Sequence, residues 1–169
     1  MAVPAIAFGL SGCITRPETL PDDVPLPAGS GFIVLELNSN VNDGQLSIID
    51  YTGKMGNAEV IGENMAGPRL ALKVREPYKF WVLALPAGNY SWSRYSVGTR
   101  FAVIRQVTRF RVNAGEMNYV GSLDLRVAGN TFSMSAKDRE AAVSRLLAER
   151  YPKLSGRFPV VKRLTEFAP

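Results

Sequence analysis

Cys13 is the only cysteine in a chain of 169 residues that contains no histidine. Without histidine the chain lacks the commonest general base and the commonest transition-metal ligand. Ser-His-Asp, Cys-His and histidine-based zinc chemistry are therefore excluded. Carboxylate-only and Ser-Lys chemistry survive. A carboxylate-based glycan hydrolase would need two acids converging in one cleft. The acids placed next to strands are Asp50, Glu116 and Asp124. The loop Asn38-Ser39-Asn40-Val41-Asn42-Asp43-Gly44 has the look of a calcium loop. Counted from Asn38, however, position 6 is Asp43 and position 12 is Ile49, where an EF-hand needs Gly and Glu. No metal and no cofactor is expected. The Gly-containing runs read as turns rather than phosphate cradles.

Two further groups are placed to bind. Tyr90, Trp92 and Tyr95, with Trp81 nearby, offer an aromatic platform for a glycan or small ligand, with Trp92 and Tyr95 as its centre. Alternating aromatics on a strand equally suit cross-strand packing. Arg109, Arg111 and Arg126 fall on outward positions of strand-like runs and offer a basic patch for a lipid phosphate or an acidic partner. The chain carries a net charge of +5. From Lys137 to Pro169 eight basic residues stand against four acidic ones, so most of that charge lies late in the chain.

Cys13 closes the run Leu10-Ser11-Gly12-Cys13, directly after the uncharged apolar stretch Ala2 to Leu10. That stretch is too short to span a bilayer, which takes roughly 20 residues, and it has the size of an export-signal core. The run resembles a bacterial lipoprotein processing site: a Leu, two small residues, then Cys. The resemblance implies cleavage between Gly12 and Cys13 and a covalent lipid on the Cys13 thiol. No Lys or Arg precedes the apolar core, a departure from the export pattern. Ile14, where Asp would favour the inner membrane, implies the outer membrane, facing the periplasm. Residues 1–12 are thus read as signal. Residues 13–30, with Pro17, Pro21, Pro25 and Pro27, are read as an extended tether reaching on the order of 50 Å.

The elements that must position these residues are mostly strands. Residues 31–133 are short β-like runs broken by turns. Phe32 to Leu37 and Gln45 to Tyr51 flank Asp43-Gly44, a hairpin signal. Leu70, Leu72 and Val74 share one face of the next run, and Tyr78 to Leu85 is apolar almost throughout, as for a strand covered on both sides. Arg100 to Arg105 and Val107 to Val112 read as a pair, with Thr108, Phe110 and Val112 inward and Arg109 and Arg111 outward. Tyr119, Gly121, Leu123, Leu125 and Val127 share one face of the next strand. Period-two patterning with frequent turns predicts an antiparallel β-sandwich. Residues 134–169 add one helix, capped by Ser135 with Asp138 three residues on, striped by Val143, Leu146 and Leu147 and stopped by Pro152. A basic tail follows, with Phe158 to Val161 as a last strand.

Three pieces have a familiar shape: Leu85-Pro86-Ala87-Gly88-Asn89-Tyr90, Phe110-Arg111-Val112-Asn113-Ala114-Gly115-Glu116 and Tyr119-Val120-Gly121. They resemble uncharacterised bacterial lipoproteins with a prealbumin-like or carboxypeptidase-regulatory-like sandwich, over roughly residues 31–127. That resemblance implies fold and says little of activity. The expectation is a mainly β, immunoglobulin-like or prealbumin-like sandwich with one C-terminal helix. It is held to a membrane by lipid on Cys13 and acts as a non-catalytic binding or scaffold module for an envelope protein partner, with no nucleic-acid role. A carboxylate enzyme and a ligand binder using the aromatic cluster are the alternatives.

Overall fold

A computed structural model describes residues 19–50, 69–75, 78–104, 107–129 and 131–168. Cys13, the expected processing site and the first residues after it lie outside the described residues. Among the described residues the chain is mainly β, with two sheets, few helices and no closed barrel.

The strands are β1 (Ser30–Ser39), β2 (Gly44–Asp50), β3 (Arg69–Val74), β4 (Tyr78–Pro86), β5 (Gly88–Val97), β6 (Arg100–Val103), β7 (Val107–Val112), β8 (Met117–Ala128), β9 (Thr131–Lys137), β10 (Val160–Lys162) and β11 (Glu166–Ala168). Two helices, α1 (Glu140–Arg150) and α2 (Pro152–Arg157), lie between β9 and β10. One sheet has five strands in the order β10-β8-β1-β4, with β9 also paired to β8. The other has six in the order β11-β7-β5-β2-β3, with β6 also paired to β5.

Ile33, Leu35, Trp81, Leu83, Leu123 and Leu125 of the first sheet share one core with Leu46, Ile48, Leu72, Trp92 and Phe110 of the second. A separate cluster covers the other face of the five-stranded sheet. There Phe32, Val34, Phe80, Val82, Met117 and Tyr119 pack against Val143, Leu147, Tyr151 and Leu154 of the helical region. The helix stripe thus docks on the domain's own sheet. β1 and β4 are nearly all apolar because both of their faces are buried.

Several expectations change. The six-stranded sheet is antiparallel throughout, but β1 and β10 each pair with β8 in parallel, so the other sheet is mixed. Asp43-Gly44 does not close a hairpin. β1 pairs with β4 and β8, whereas β2 pairs with β3 and β5, so the turn carries the chain between sheets. Asp43 is left-handed there, with φ 58°, a conformation Asp tolerates. β6 and β7 do not pair with each other; both lie along β5 at successive positions.

A bulge opposite Val34 and Leu35 inserts Val120 into β8. It puts Tyr119 on the helical side and Leu123 and Leu125 in the shared core, breaking the single face read from alternation. Gly121, at the bulge, has φ 113°, where a side chain would be strained. Ser135 caps no helix: it lies in β9 opposite Asp124, and α1 begins only after β9 ends at Lys137. Asp138 instead accepts the Glu140 amide at 3.0 Å.

The tether reading changes most. Residues 19–30 lie against the five-stranded sheet. The Leu20 amide donates to the Val82 carbonyl at 3.0 Å, and the Val82 amide to Thr19 Oγ1 at 3.2 Å. This satisfies part of the free edge of β4. Leu20, Val24 and Leu26 pack against the helix-side cluster. Asp22 accepts the Lys153 and Leu154 amides at 3.0–3.1 Å and so caps α2 from far away in sequence. Proline denies this stretch a ladder of its own, but its leucines and valine still have apolar surface to bury.

Candidate functional site

The C-terminal tail builds the site. β10 pairs with β8, and β11 pairs antiparallel with β7, setting Glu166 opposite Arg109. Between them the tail crosses from one sheet to the other. The Arg163 and Thr165 amides donate to the Tyr119 and Val120 carbonyls, both at 2.9 Å. Thr165 is the pivot: its Oγ1 donates to the Val120 carbonyl at 2.9 Å and accepts the Trp92 indole N–H at 3.1 Å.

The crossing brings Lys162 and Arg163 beside Arg109 and Arg111 and frames a groove of about 680 Å³ with Asn89 and Glu166. Arg109 and Arg111 are exposed, while Thr108, Phe110 and Val112 are buried, as the alternation of β7 requires. Arg163 pairs with Glu116 at 3.3 Å, and Lys162 with Asp138 and Glu140, both at 3.0 Å. The Glu140 amide and Lys162 hold the Asp138 carboxyl below its ordinary range, and Asp138 and Glu140 push the Lys162 ammonium up. The groove therefore carries four cations beside the one carboxylate of Glu166; Lys162 and Arg163 are held by acids, and Arg109 is engaged within the chain.

Arg126 does not join them. It lies in β8 of the other sheet, half exposed, and pairs with Asp124, which Lys137 also reaches at 3.0 Å. The acids named from sequence do not converge either. Glu116 and Asp124 lie eight residues apart along one strand direction, about 25 Å at 3.3 Å per residue. That is far beyond the 5–9.5 Å of paired glycosidase carboxylates. Asp50 ends β2 in the other sheet.

Trp92 and Tyr95 are core residues rather than a surface platform. Trp92 is 1% exposed and packs on Phe110 with ring centroids 4.9 Å apart; Tyr95 is 2% exposed and stacks on Phe132 at 5.3 Å. Strict alternation after Trp92 would turn Tyr95 outward. A bulge at Ser93 restores it to the core.

One polar cluster escaped the sequence reading. Glu36 of β1 is 1% exposed. It accepts the Tyr78 hydroxyl at 2.8 Å and a hydrogen bond from the Ser122 hydroxyl, and Arg139 approaches at 3.4 Å. Ser122 also meets the Tyr119 hydroxyl at 3.1 Å, and that hydroxyl accepts the Arg139 amide at 2.9 Å. Burial first, then the bond to Glu36, raises the Tyr78 pKa. The signal was present in Phe32-Ile33-Val34-Leu35-Glu36-Leu37: one acid in a run of apolar residues must find partners or stay out of the core. With Ser122 only 2% exposed, the cluster ties the start of α1 to the sheet.

The chain matches no protein-family model, no curated protein and no solved structure.

Proposed function

We propose that the chain is a lipid-anchored envelope module with an immunoglobulin-like or prealbumin-like sandwich, which binds an acidic envelope partner and performs no catalysis of its own. The anchor rests on the Leu10-Ser11-Gly12-Cys13 run, and Ile14 favours the outer membrane, facing the periplasm. The observation that carries the binding role is the groove in which Arg109, Arg111, Lys162 and Arg163 come together across the two sheets. Cations gathered on one surface steer and orient an acidic partner more than they add affinity.

Thr19 docks against Val82 and Tyr151. The six steps from Cys13 to Thr19 span at most about 20 Å. A lipid on Cys13 would hold the domain close to the bilayer, within reach of membrane-associated partners.

The test places a photo-crosslinking residue at Arg111 and, as a comparison, at Arg126. Capture of an acidic envelope protein from Arg111 alone, lost with Arg109→Glu and weakened by salt, supports the reading. Equal capture from both positions, or capture indifferent to Arg109→Glu, overturns it.

A further inference from the structure

A second cleft lies at the end of the two sheets, away from the basic groove. We propose that it binds a free single-chain amphiphile with a carboxylate head, a fatty-acid-like ligand. The proposal goes beyond the reading above and needs neither the lipid anchor nor the groove.

The cleft has a volume of about 690 Å³ and is lined by Val41, Tyr95, Val97, Ala102, Val127 and Phe132, with Arg100 at its mouth. Val41, Val97, Val127 and Phe132 pack against the shared core yet remain only half-buried. Apolar side chains gathered around a hollow and left partly in water are the usual mark of a binding site. The floor is rigid: Tyr95 stacks on Phe132 and its hydroxyl lies 3.3 Å from Ser39 Oγ. Two tight turns flank the hollow, each with a left-handed glycine, Gly98 and Gly129, both at φ 57°.

Charge selects the ligand class. Among the described residues lining the cleft Arg100 is the only charged one, and it is exposed. An alkyl chain along the apolar wall would bring a carboxylate to the Arg100 guanidinium, a favourable bidentate geometry. An ammonium head would meet like charge there.

The experiment titrates the full chain with dodecanoate, dodecanol and dodecylammonium by calorimetry. The expected result is one-to-one binding, with dodecanoate at least tenfold tighter than dodecylammonium. Arg100→Gln should weaken dodecanoate about tenfold and leave dodecanol unchanged. Ala102→Phe, which fills the cleft, should abolish binding of all three. Thr131→Trp, at an exposed rim position, serves the same purpose should Ala102→Phe fail to fold. Arg111→Gln, in the distant groove, should change nothing.

Absence of dodecanoate binding below millimolar concentration overturns the proposal. So does binding that survives the filled cleft. Sedimentation with phosphatidylglycerol vesicles separates the remaining source of such chemistry: if Arg100→Gln alters vesicle binding and leaves dodecanoate binding unchanged, the cleft meets a membrane surface and the free-ligand proposal fails. Loss of crosslinking from Arg111 would bear on the proposed function and leave this result untouched.

Discussion

In the five-stranded sheet β1, the centre of β4 and the first part of β8 are buried on both faces, by the second sheet on one side and by the helices with residues 19–30 on the other, while Arg126 of β8 and Ser133 and Ser135 of β9 are exposed. The six-stranded sheet sends its apolar residues to the shared core; on its other side Arg109 and Arg111 are exposed, while Ser91 and Ser93 are buried. The difference is one of division of labour. A sheet covered twice has little surface left to vary and supplies rigidity. A sheet with a polar face can present side chains to a partner, and the tail sets Lys162 and Arg163 beside its edge.

The sharpest break of this comparison puts a charge on each sheet. Val34→Asp, between β1 and the helices, should abolish cooperative folding, because the new carboxylate has no partner. Arg111→Asp should leave stability within about 0.5 kcal/mol. Thermal melts of both variants measure it, and equal destabilisation would contradict the contrast. Trp92→Ala should cost about 3–5 kcal/mol in denaturant titrations through the cavity left beside Phe110. A smaller loss, with ligand binding impaired instead, would restore the platform reading.

Glu36→Ala should cost about 1.5–3 kcal/mol, since it deprives Tyr78 and Ser122 of a charged acceptor. Asp22→Ala should cost about 1 kcal/mol, the value of a helix cap. A neutral result would mean that the bonds from Asp22 to α2 contribute nothing to the fold.

The smallest effect near neutral pH is that of the tyrosines. Burial raises the pKa of Tyr90, Tyr95 and Tyr119. A phenol with a raised folded pKa contributes stability that is complete below the ordinary value of about 10. That stability is lost as pH climbs toward the folded value. Phenolate absorbance from these three should therefore appear together with alkaline unfolding. Titration of all tyrosines while circular dichroism stays native would contradict it.

Much of this was legible in the residues. The apolar run of β4, broken only by Lys79, announced a strand covered twice, and the alternation of β7 placed Arg109 and Arg111 outward. The two bulges were not legible, because one inserted residue resets a period of two: Tyr119 left the face read for it, and Tyr95 shares the core with Trp92 only because of the bulge at Ser93. The pairing of β11 with β7 joins residues far apart in the chain, and β11 is too short to announce itself, so the company of Lys162 and Arg163 in the groove could not be foreseen. Prolines suggested a free tether because their effect on backbone hydrogen bonding is easily read, whereas the surface that Leu20, Val24 and Leu26 cover exists only once the sheet has formed.

The most direct measurement is intact mass combined with membrane fractionation of the protein expressed from its own locus, beside Cys13→Ala. The account predicts a protein that begins at Cys13, carries lipid mass and sediments with membranes, and a Cys13→Ala form that is unacylated and released. An unmodified protein that retains residues 1–12 and stays out of the membrane fraction would contradict it.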